Sequence, residues 1–159
     1  MGRILITGTR SWDDKDFIYK VLAGEFLLDP DAVLVSGGQR SRRTNLKTKK
    51  AEFYGADYLC EKIWSAFGGS IERHPANWAR FGNGAGFRRN EYMVMLGADK
   101  CIGFILNNSP GATFTANLAE EKGIPTIRYN ITKKRLPKKK VSRKKAVKKS
   151  VRAGRKPKV

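Results

Sequence analysis

The chain has 159 residues, of which 33 are Lys or Arg and 14 are Asp or Glu, and its formal net charge is +19. This length suits a single domain with an appendage. No apolar run is long enough to span a membrane, and the two cysteines, Cys60 and Cys101, belong to no Cys-x-x-Cys or Cys/His cluster. We therefore expect a cytoplasmic protein with no metal site and no membrane partner.

The positive charge is concentrated in two segments. Residues 133–159 contain fifteen Lys or Arg and no acidic residue, and residues 39–54 contain six Lys or Arg against Glu52 alone. Because the terminal segment has almost no apolar side chains, residues 132–159 are predicted to be a disordered tail that binds nucleic acid. Residues 39–54 are predicted to be an exposed, mobile insertion.

Apolar runs typical of strands alternate with helical patterns over residues 1–131. The predicted strands are Arg3–Thr7, Ala32–Ser36, Ser70–His74, Lys100–Ile105 and Pro125–Tyr129. The predicted helices are Asp14–Leu27, Gly55–Phe67, Phe87–Leu96 and Thr113–Lys122, with a glycine-rich loop at Ala76–Gly86. Such alternation predicts an α/β domain over residues 1–131, with a Rossmann-like, doubly wound parallel sheet of about five strands.

Glycines and hydroxyl residues follow three of the predicted strands. In an open parallel sheet, ligands bind beyond the carboxyl ends of the strands, where strand order reverses. Glycine lets the backbone approach a phosphate, and the next helix offers free N–H groups. The three strand-to-helix loops therefore predict a phosphate site for a nucleotide or a nucleic acid. Its candidate residues are Gly8, Thr9, Arg10, Ser36, Gly37, Gly38, Gly111 and Thr113.

Four polar residues lie near the same predicted edge. Arg89 and Asn90 open the third predicted helix and can hold a phosphate, although the arginine can equally form ion pairs with Glu72 or Glu91. Asp57 can contact a ribose hydroxyl or the loop backbone, or it can cap the N-terminus of its helix. His74 is the only histidine and is a candidate acid or base, but a structural hydrogen bond is its commoner use.

Tryptophans are further candidates near this edge. Trp12 and Trp78 can stack on a base, although packing in the core or at the rim is the more frequent use of tryptophan.

Six motifs follow one another along the chain: Ile6–Arg10, Val35–Gly38, Gly55–Asp57, Glu72–Trp78, Arg89–Asn90 and Ser109–Thr113. In this order they resemble the YspA-like branch of the SLOG superfamily. That superfamily joins Rossmann-like nucleotide-binding proteins, the LOG phosphoribohydrolases and the DNA-processing protein A family. The resemblance spans about residues 3–129 and implies a ligand pocket lined by Gly8, Arg10, Gly37, Gly38, Arg89, Asn90, Gly111 and Thr113.

Two departures from this family pattern affect the expected chemistry. Residues 39–54 separate Gly38 from Gly55, whereas the family joins these motifs closely, so Asp57 is at risk of displacement from the site. The LOG hydrolases carry a catalytic glutamate at the position of Ala116, and its absence argues against removal of a base from a nucleotide.

The first expectation is therefore a protein that binds a nucleotide or an ADP-ribose-like compound and is tethered to nucleic acid by its tail. A second is a DNA- or RNA-binding protein related to DNA-processing protein A. A third is a nucleotide hydrolase in which Asp57 or His74 supplies acid/base chemistry.

Overall fold

The structure of the protein, a computed structural model, describes residues 2–134. Its strands are β1 (Arg3–Gly8), β2 (Val33–Ser36), β3 (Ser41–Thr44), β4 (Ala51–Tyr54), β5 (Ser70–Arg73), β6 (Lys100–Leu106) and β7 (Thr126–Ile131). Its helices are α1 (Lys15–Leu28), α2 (Ala56–Ala66), α3 (Trp78–Phe81), α4 (Ala85–Met95) and α5 (Pro110–Glu121). The predicted disordered tail lies, apart from residues 132–134, outside the described residues.

Five parallel strands form the main sheet in the order β5-β2-β1-β6-β7. The chain leaves β1 towards β2 on one side and leaves β6 towards β7 on the other, so strand order reverses between β1 and β6. This arrangement confirms the predicted α/β class and the Rossmann-like, doubly wound sheet. The helices that follow these two strands, α1 and α5, pack on opposite faces of the sheet and leave a crevice at this edge.

Apolar side chains cover both faces of the sheet. Helices α1 and α2 pack on one face through Ile18, Leu22 and Trp64. Helices α4 and α5 pack on the other face, where Met93 and Val94 meet sheet residues such as Leu5. Among residues 2–134, no helix is long and apolar enough to cross a membrane.

Trp12 belongs to this core, since its side chain is only 2% exposed and its ring lies 5.5 Å from that of Phe104. Trp12 therefore packs in the core, which is one of the two roles considered for it.

A β-hairpin occupies the basic insertion, where the sequence predicts a mobile segment. Strands β3 and β4 pair antiparallel from Ser41 opposite Tyr54 to Thr44 opposite Ala51. The turn is ordered by Asn45, whose side-chain oxygen accepts from the backbone N–H groups of Lys47 and Thr48. The insertion is therefore a hydrogen-bonded ribbon attached beside the crevice.

Two helix boundaries also differ from the sequence prediction. Within the predicted loop at Ala76–Gly86, Asn77 caps the short helix α3 by accepting from the N–H of Arg80. Helix α4 begins at Ala85, and α5 begins at Pro110, a residue suited to a first helical turn because it lacks an N–H group.

Candidate functional site

A cavity of about 400 Å³ lies at the reversal point of the sheet, beyond the ends of β1 and β6. Its walls come from the β1–α1 loop, the start of α5 and one side of α4. The lining residues are Ile6, Thr7, Gly8, Thr9, Arg10, Ser11, Gln39, Asp57, Trp78, Asn83, Gly86, Phe87, Arg89, Asn90, Met93, Ser109, Pro110, Gly111 and Ala112. Its position is the one at which doubly wound sheets hold their ligands.

The structure brings seven of the twelve candidate residues around this cavity: Gly8, Thr9, Arg10, Asp57, Arg89, Asn90 and Gly111. The other five, Ser36, Gly37, Gly38, His74 and Thr113, do not line it. Of the lining residues that the sequence did not single out, Gln39 lies in the insertion, Asn83 in the glycine-rich loop and Phe87 in the first turn of α4. No motif marks them as site residues.

The glycine loop after β2 supports an arginine instead of lining the cavity. The carbonyl of Gly37 accepts a hydrogen bond of 2.6 Å from Nη1 of Arg89, and a Cβ at Gly37 would lie 2.5 Å from Cζ of that arginine. Gly38 has φ +68° and donates its N–H to Oγ of Ser36 at 3.1 Å. The loop is therefore filled by protein groups, which corrects the expectation that it opens towards a phosphate.

The hydroxyl of Thr9 links the β1–α1 loop to the β6–α5 loop at the reversal point. Its Oγ1 accepts from the N–H of Leu106 at 2.9 Å and forms a second, short hydrogen bond with Oγ of Ser109. The backbone N–H of Thr9 donates to the carbonyl of Phe104 at 3.0 Å. Thr9 therefore fixes the β1–α1 loop against the start of α5.

The start of α5 supplies hydrogen-bond donors to the cavity. Within residues 2–134, the N–H groups of Gly111 and Ala112 have no hydrogen-bond acceptor, whereas the N–H of Thr113 donates to the carbonyl of Ser109. A Cβ at Gly111 would meet no atom within 4 Å. Open space and free N–H groups at a helix N-terminus are favourable for an anion.

Arg89 and Asp57 form the charged floor of the cavity. The guanidinium of Arg89 donates through Nη1 to Gly37 and through Nε to Oδ1 of Asn90 at 2.7 Å. Burial lowers the pKa of Arg89, and the nearby negative charge of Asp57 opposes that effect. Among residues 2–134, Arg89 forms no ion pair with Glu72 or Glu91, which was the expected alternative.

Asp57 stays at the cavity despite the insertion before it. Its side chain accepts from the backbone N–H of Gln39 at 3.1 Å, which was one of the roles considered for it. Burial raises its pKa to about 6, against the opposing charge of Arg89. Asp57 thus changes charge in a mildly acidic range.

His74 lies outside the cavity and has structural partners. Its Nε2 lies 2.9 Å from Oε2 of Glu72, and its ring meets Tyr92 edge-on. Hydrogen bonds from Arg3 first, and from His74 second, lower the pKa of Glu72 to about 2. Ala116, where the LOG hydrolases carry their glutamate, lies on the buried face of α5 and packs in the core.

Arg10 is the exposed cation of the cavity rim. Its guanidinium lies 5.1 Å from the ring centroid of Trp78, which is 40% exposed. Its carbonyl accepts from Oγ of Ser41 at 2.8 Å, so the hairpin holds the backbone of this loop. Among the described residues, no cluster of His, Cys, Asp and Glu could hold a metal ion.

We expect the stability of the folded protein to fall as pH rises from about 4 to about 6, because of Asp57. Folding raises the pKa of this carboxyl from 3.8 to about 6. The folded protein therefore binds the proton more tightly than the unfolded chain does across this range. A shift of about 2 units corresponds to about 3 kcal/mol of unfolding free energy. Urea unfolding between pH 4 and 7 measures it.

Asp57→Asn should remove this decline, because asparagine retains an acceptor for Gln39 but does not ionise. Asp31→Asn, at an exposed position, is the matched control and should leave the decline in place. Identical pH profiles for the wild type and Asp57→Asn would contradict the assignment.

Comparisons with known proteins give one relative in sequence and one distant likeness in structure. The Gene 61 protein of Mycobacterium phage D29 is 35% identical over 135 residues, which cover 81% of this chain and 97% of that protein. The C-terminal domain of a hydrogenase from Pyrococcus furiosus aligns with a TM-score of 0.42 and 14% identity, over 80% of this chain and 91% of that domain. No family model matches the chain.

Proposed function

The chain belongs to the family of the Gene 61 protein of Mycobacterium phage D29. That name states no activity, so we propose the function of the chain from the geometry of the cavity. We propose that the cavity binds a nucleotide or a nucleotide-derived compound such as ADP-ribose. The ligand's phosphate lies against the N–H groups of Gly111 and Ala112 and against the guanidinium of Arg10. The resemblance to the YspA-like branch of the SLOG superfamily is part of the same proposal.

The observation that carries this proposal is the position of the cavity at the reversal point of the sheet. The free N–H groups of α5 and Arg10 both line it. A phosphate that contacts both would gain charge-assisted hydrogen bonds and the favourable end of the α5 dipole. The exposed ring of Trp78, beside Arg10, offers a surface for the base.

Arg10→Ala is expected to weaken binding of phosphorylated ligands about tenfold or more, because a charge-assisted hydrogen bond contributes about 1.5–3 kcal/mol. The dephosphorylated nucleoside should lose much less affinity. Calorimetry with nucleoside monophosphates, nucleoside diphosphates, ADP-ribose and the parent nucleosides measures both losses.

The matched control is Arg80→Ala, since Arg80 is exposed on the neighbouring helix α3 and does not line the cavity. It should leave all affinities unchanged. Absence of binding to any compound in the series by the wild-type protein, together with no nucleotide released on denaturation, would refute the proposed function.

Exposed aromatic rings at the cavity mouth favour a second candidate, binding of a single strand of DNA or RNA. Trp78 and Phe87 are 40% and 42% exposed, and stacking on such rings is how proteins hold unpaired bases without sequence preference. Oligonucleotides that bind much more tightly than mononucleotides would support this candidate over the first.

A carboxylate inside the cavity is the observation behind the third candidate, nucleotide hydrolysis. Asp57, with its pKa of about 6, is the residue that would act as acid or base there. Turnover of any nucleotide in the same series, lost in Asp57→Asn, would support it.

The basic tail is proposed to tether the protein to nucleic acid through phosphate contacts. If six to ten of the fifteen cations in residues 133–159 meet phosphates, log affinity for a duplex should fall against log salt with a slope of about −5 to −9. Removal of residues 133–159 should flatten most of this slope and leave binding of small nucleotides nearly unchanged. A truncated protein that keeps both affinity and slope would contradict the tether.

A further inference from the structure

The hairpin formed by β3 and β4 has one face directed at the body of the domain, and the charge on that face is neutralised. Arg43 donates to Oε1 of Glu52 at 2.6 Å and to Oδ2 of Asp13 at 3.3 Å. Ser41, two residues away on the same side of the strand, donates its hydroxyl to the carbonyl of Arg10. The cation on this face is therefore already paired with carboxylates.

The opposite face carries the unneutralised cations. Arg42 and Phe53 are a cross-strand pair on the side away from Arg43, because side chains alternate along a strand. The guanidinium of Arg40 lies 4.9 Å from the ring centroid of Phe53. Within residues 2–134, none of the five cations of this face and the turn forms an ion pair: Arg40, Arg42, Lys47, Lys49 and Lys50.

Hydrogen bonds hold the turn that carries the three lysines. The carbonyl of Asn45 accepts from the N–H of Lys49, its own N–H donates to the carbonyl of Lys50, and its side chain donates to Oε2 of Glu52 at 3.0 Å. The Cα atoms of these cations are thus held on an ordered ribbon. Preorganisation of this kind lowers the entropic cost of binding a regular array of anions.

We propose that this outward face of the hairpin is a binding site for duplex DNA, with the ribbon lying in the major groove and its cations on the flanking phosphates. The major groove of B-form DNA admits a two-stranded β-ribbon, whereas the major groove of A-form RNA is too narrow for it. The five unpaired cations match the negative charge of the backbone. The proposal is independent of the cavity and of the tail.

The test compares full-length variants on one DNA duplex across a series of salt concentrations. Arg42→Gln, Lys47→Gln and Lys50→Gln are combined in one hairpin variant. If these three residues meet phosphates, the slope of log affinity against log salt becomes less steep by about 2–3, and affinity at about 0.1 M salt falls tenfold or more. Small nucleotides should bind this variant as they bind the wild type.

The matched control combines Lys20→Gln, Arg88→Gln and Lys122→Gln, three exposed cations on α1, on α4 and after α5. It removes the same charge from elsewhere on the domain and should change the slope by less than about 1. Equal changes of slope in the two variants would overturn the proposal, because general charge attraction would then explain both. Equal losses by the hairpin variant on duplex RNA and on duplex DNA would also overturn it.

A photo-crosslinking measurement keeps the proposal testable without any change of charge. A photoreactive amino acid in place of Leu46, which is 91% exposed at the turn, should form crosslinks to duplex DNA. The same amino acid in place of Leu27, which is 85% exposed on α1, is the control. Crosslinks of equal yield from both positions would overturn the proposal.

Discussion

Gly8→Ala is expected to lower the free energy of unfolding by about 3 kcal/mol, the cost of overpacking a core that cannot shift freely. A Cβ on Gly8 would lie far inside contact distance of Cβ of Ala56 and 3.0 Å from the carbonyl oxygen of Phe104. Both neighbours are fixed, the first by helix α2 and the second by strand β6, which is paired on both sides. Urea unfolding of the two proteins measures the difference.

The informative comparison is a glycine of the same cavity with free space around it. A Cβ at Gly111 would meet nothing within 4 Å, so Gly111→Val should fold normally. It should nevertheless lose nucleotide affinity, since the added methyl groups occupy the space beside the free N–H groups of α5. A folded Gly111→Val with unchanged affinity would mean that the ligand does not contact α5. A fully stable Gly8→Ala would contradict the packing argument.

Arg89→Ala is expected to cost both stability and affinity. At about pH 8 the ionised Asp57 would lose its buried counter-charge, and Gly37 and Asn90 would lose their donor, which together cost about 3–5 kcal/mol. A phosphorylated ligand should also bind about tenfold or more weakly than to the wild type, while the nucleoside should be less affected. Urea unfolding and calorimetry measure the two losses.

The pH dependence separates charge from packing at this position. Below the pKa of Asp57, at about pH 5, the carboxyl is mostly neutral and no longer needs Arg89, so the stability loss should be clearly smaller than at pH 8. Arg89→Lys is the matched variant, because it retains a positive charge but not the planar donor geometry. Losses of equal size at both pH values would mean that Arg89 acts only through packing and neutral hydrogen bonds.

The sequence predicted the sheet because its strands are recognisable from local composition. Apolar runs such as that of β1, ended by glycine and separated by helical periodicity, leave few other arrangements open. The edge at which Arg10, Arg89 and Gly111 meet follows directly from that topology. Hence a large part of the cavity wall could be anticipated before any coordinates were known.

The remaining features depend on contacts between distant segments, which local composition does not encode. Strand β3 reads Ser-Arg-Arg-Thr and shows no alternation of apolar and polar residues, so the hairpin resembles a solvated loop in sequence. The glycines after β2 look like a phosphate loop, but Arg89, more than fifty positions away in sequence, occupies the space beside Gly37. The position of Asp57 at the cavity likewise depends on how residues 39–54 fold, because Gln39 donates to its side chain.

The closure of the hairpin at its base explains why the fourteen residues 41–54 leave the cavity intact. Ser41 and Tyr54 are cross-strand partners, so the segment returns to within about 5 Å of the point where it departs. Gln39 and Gly55, just outside it, are each hydrogen-bonded to the body of the domain, to Asp57 and to Trp12. The hairpin is thus a module with adjacent ends, so a change of length at its turn leaves the path of the chain on either side of it unchanged.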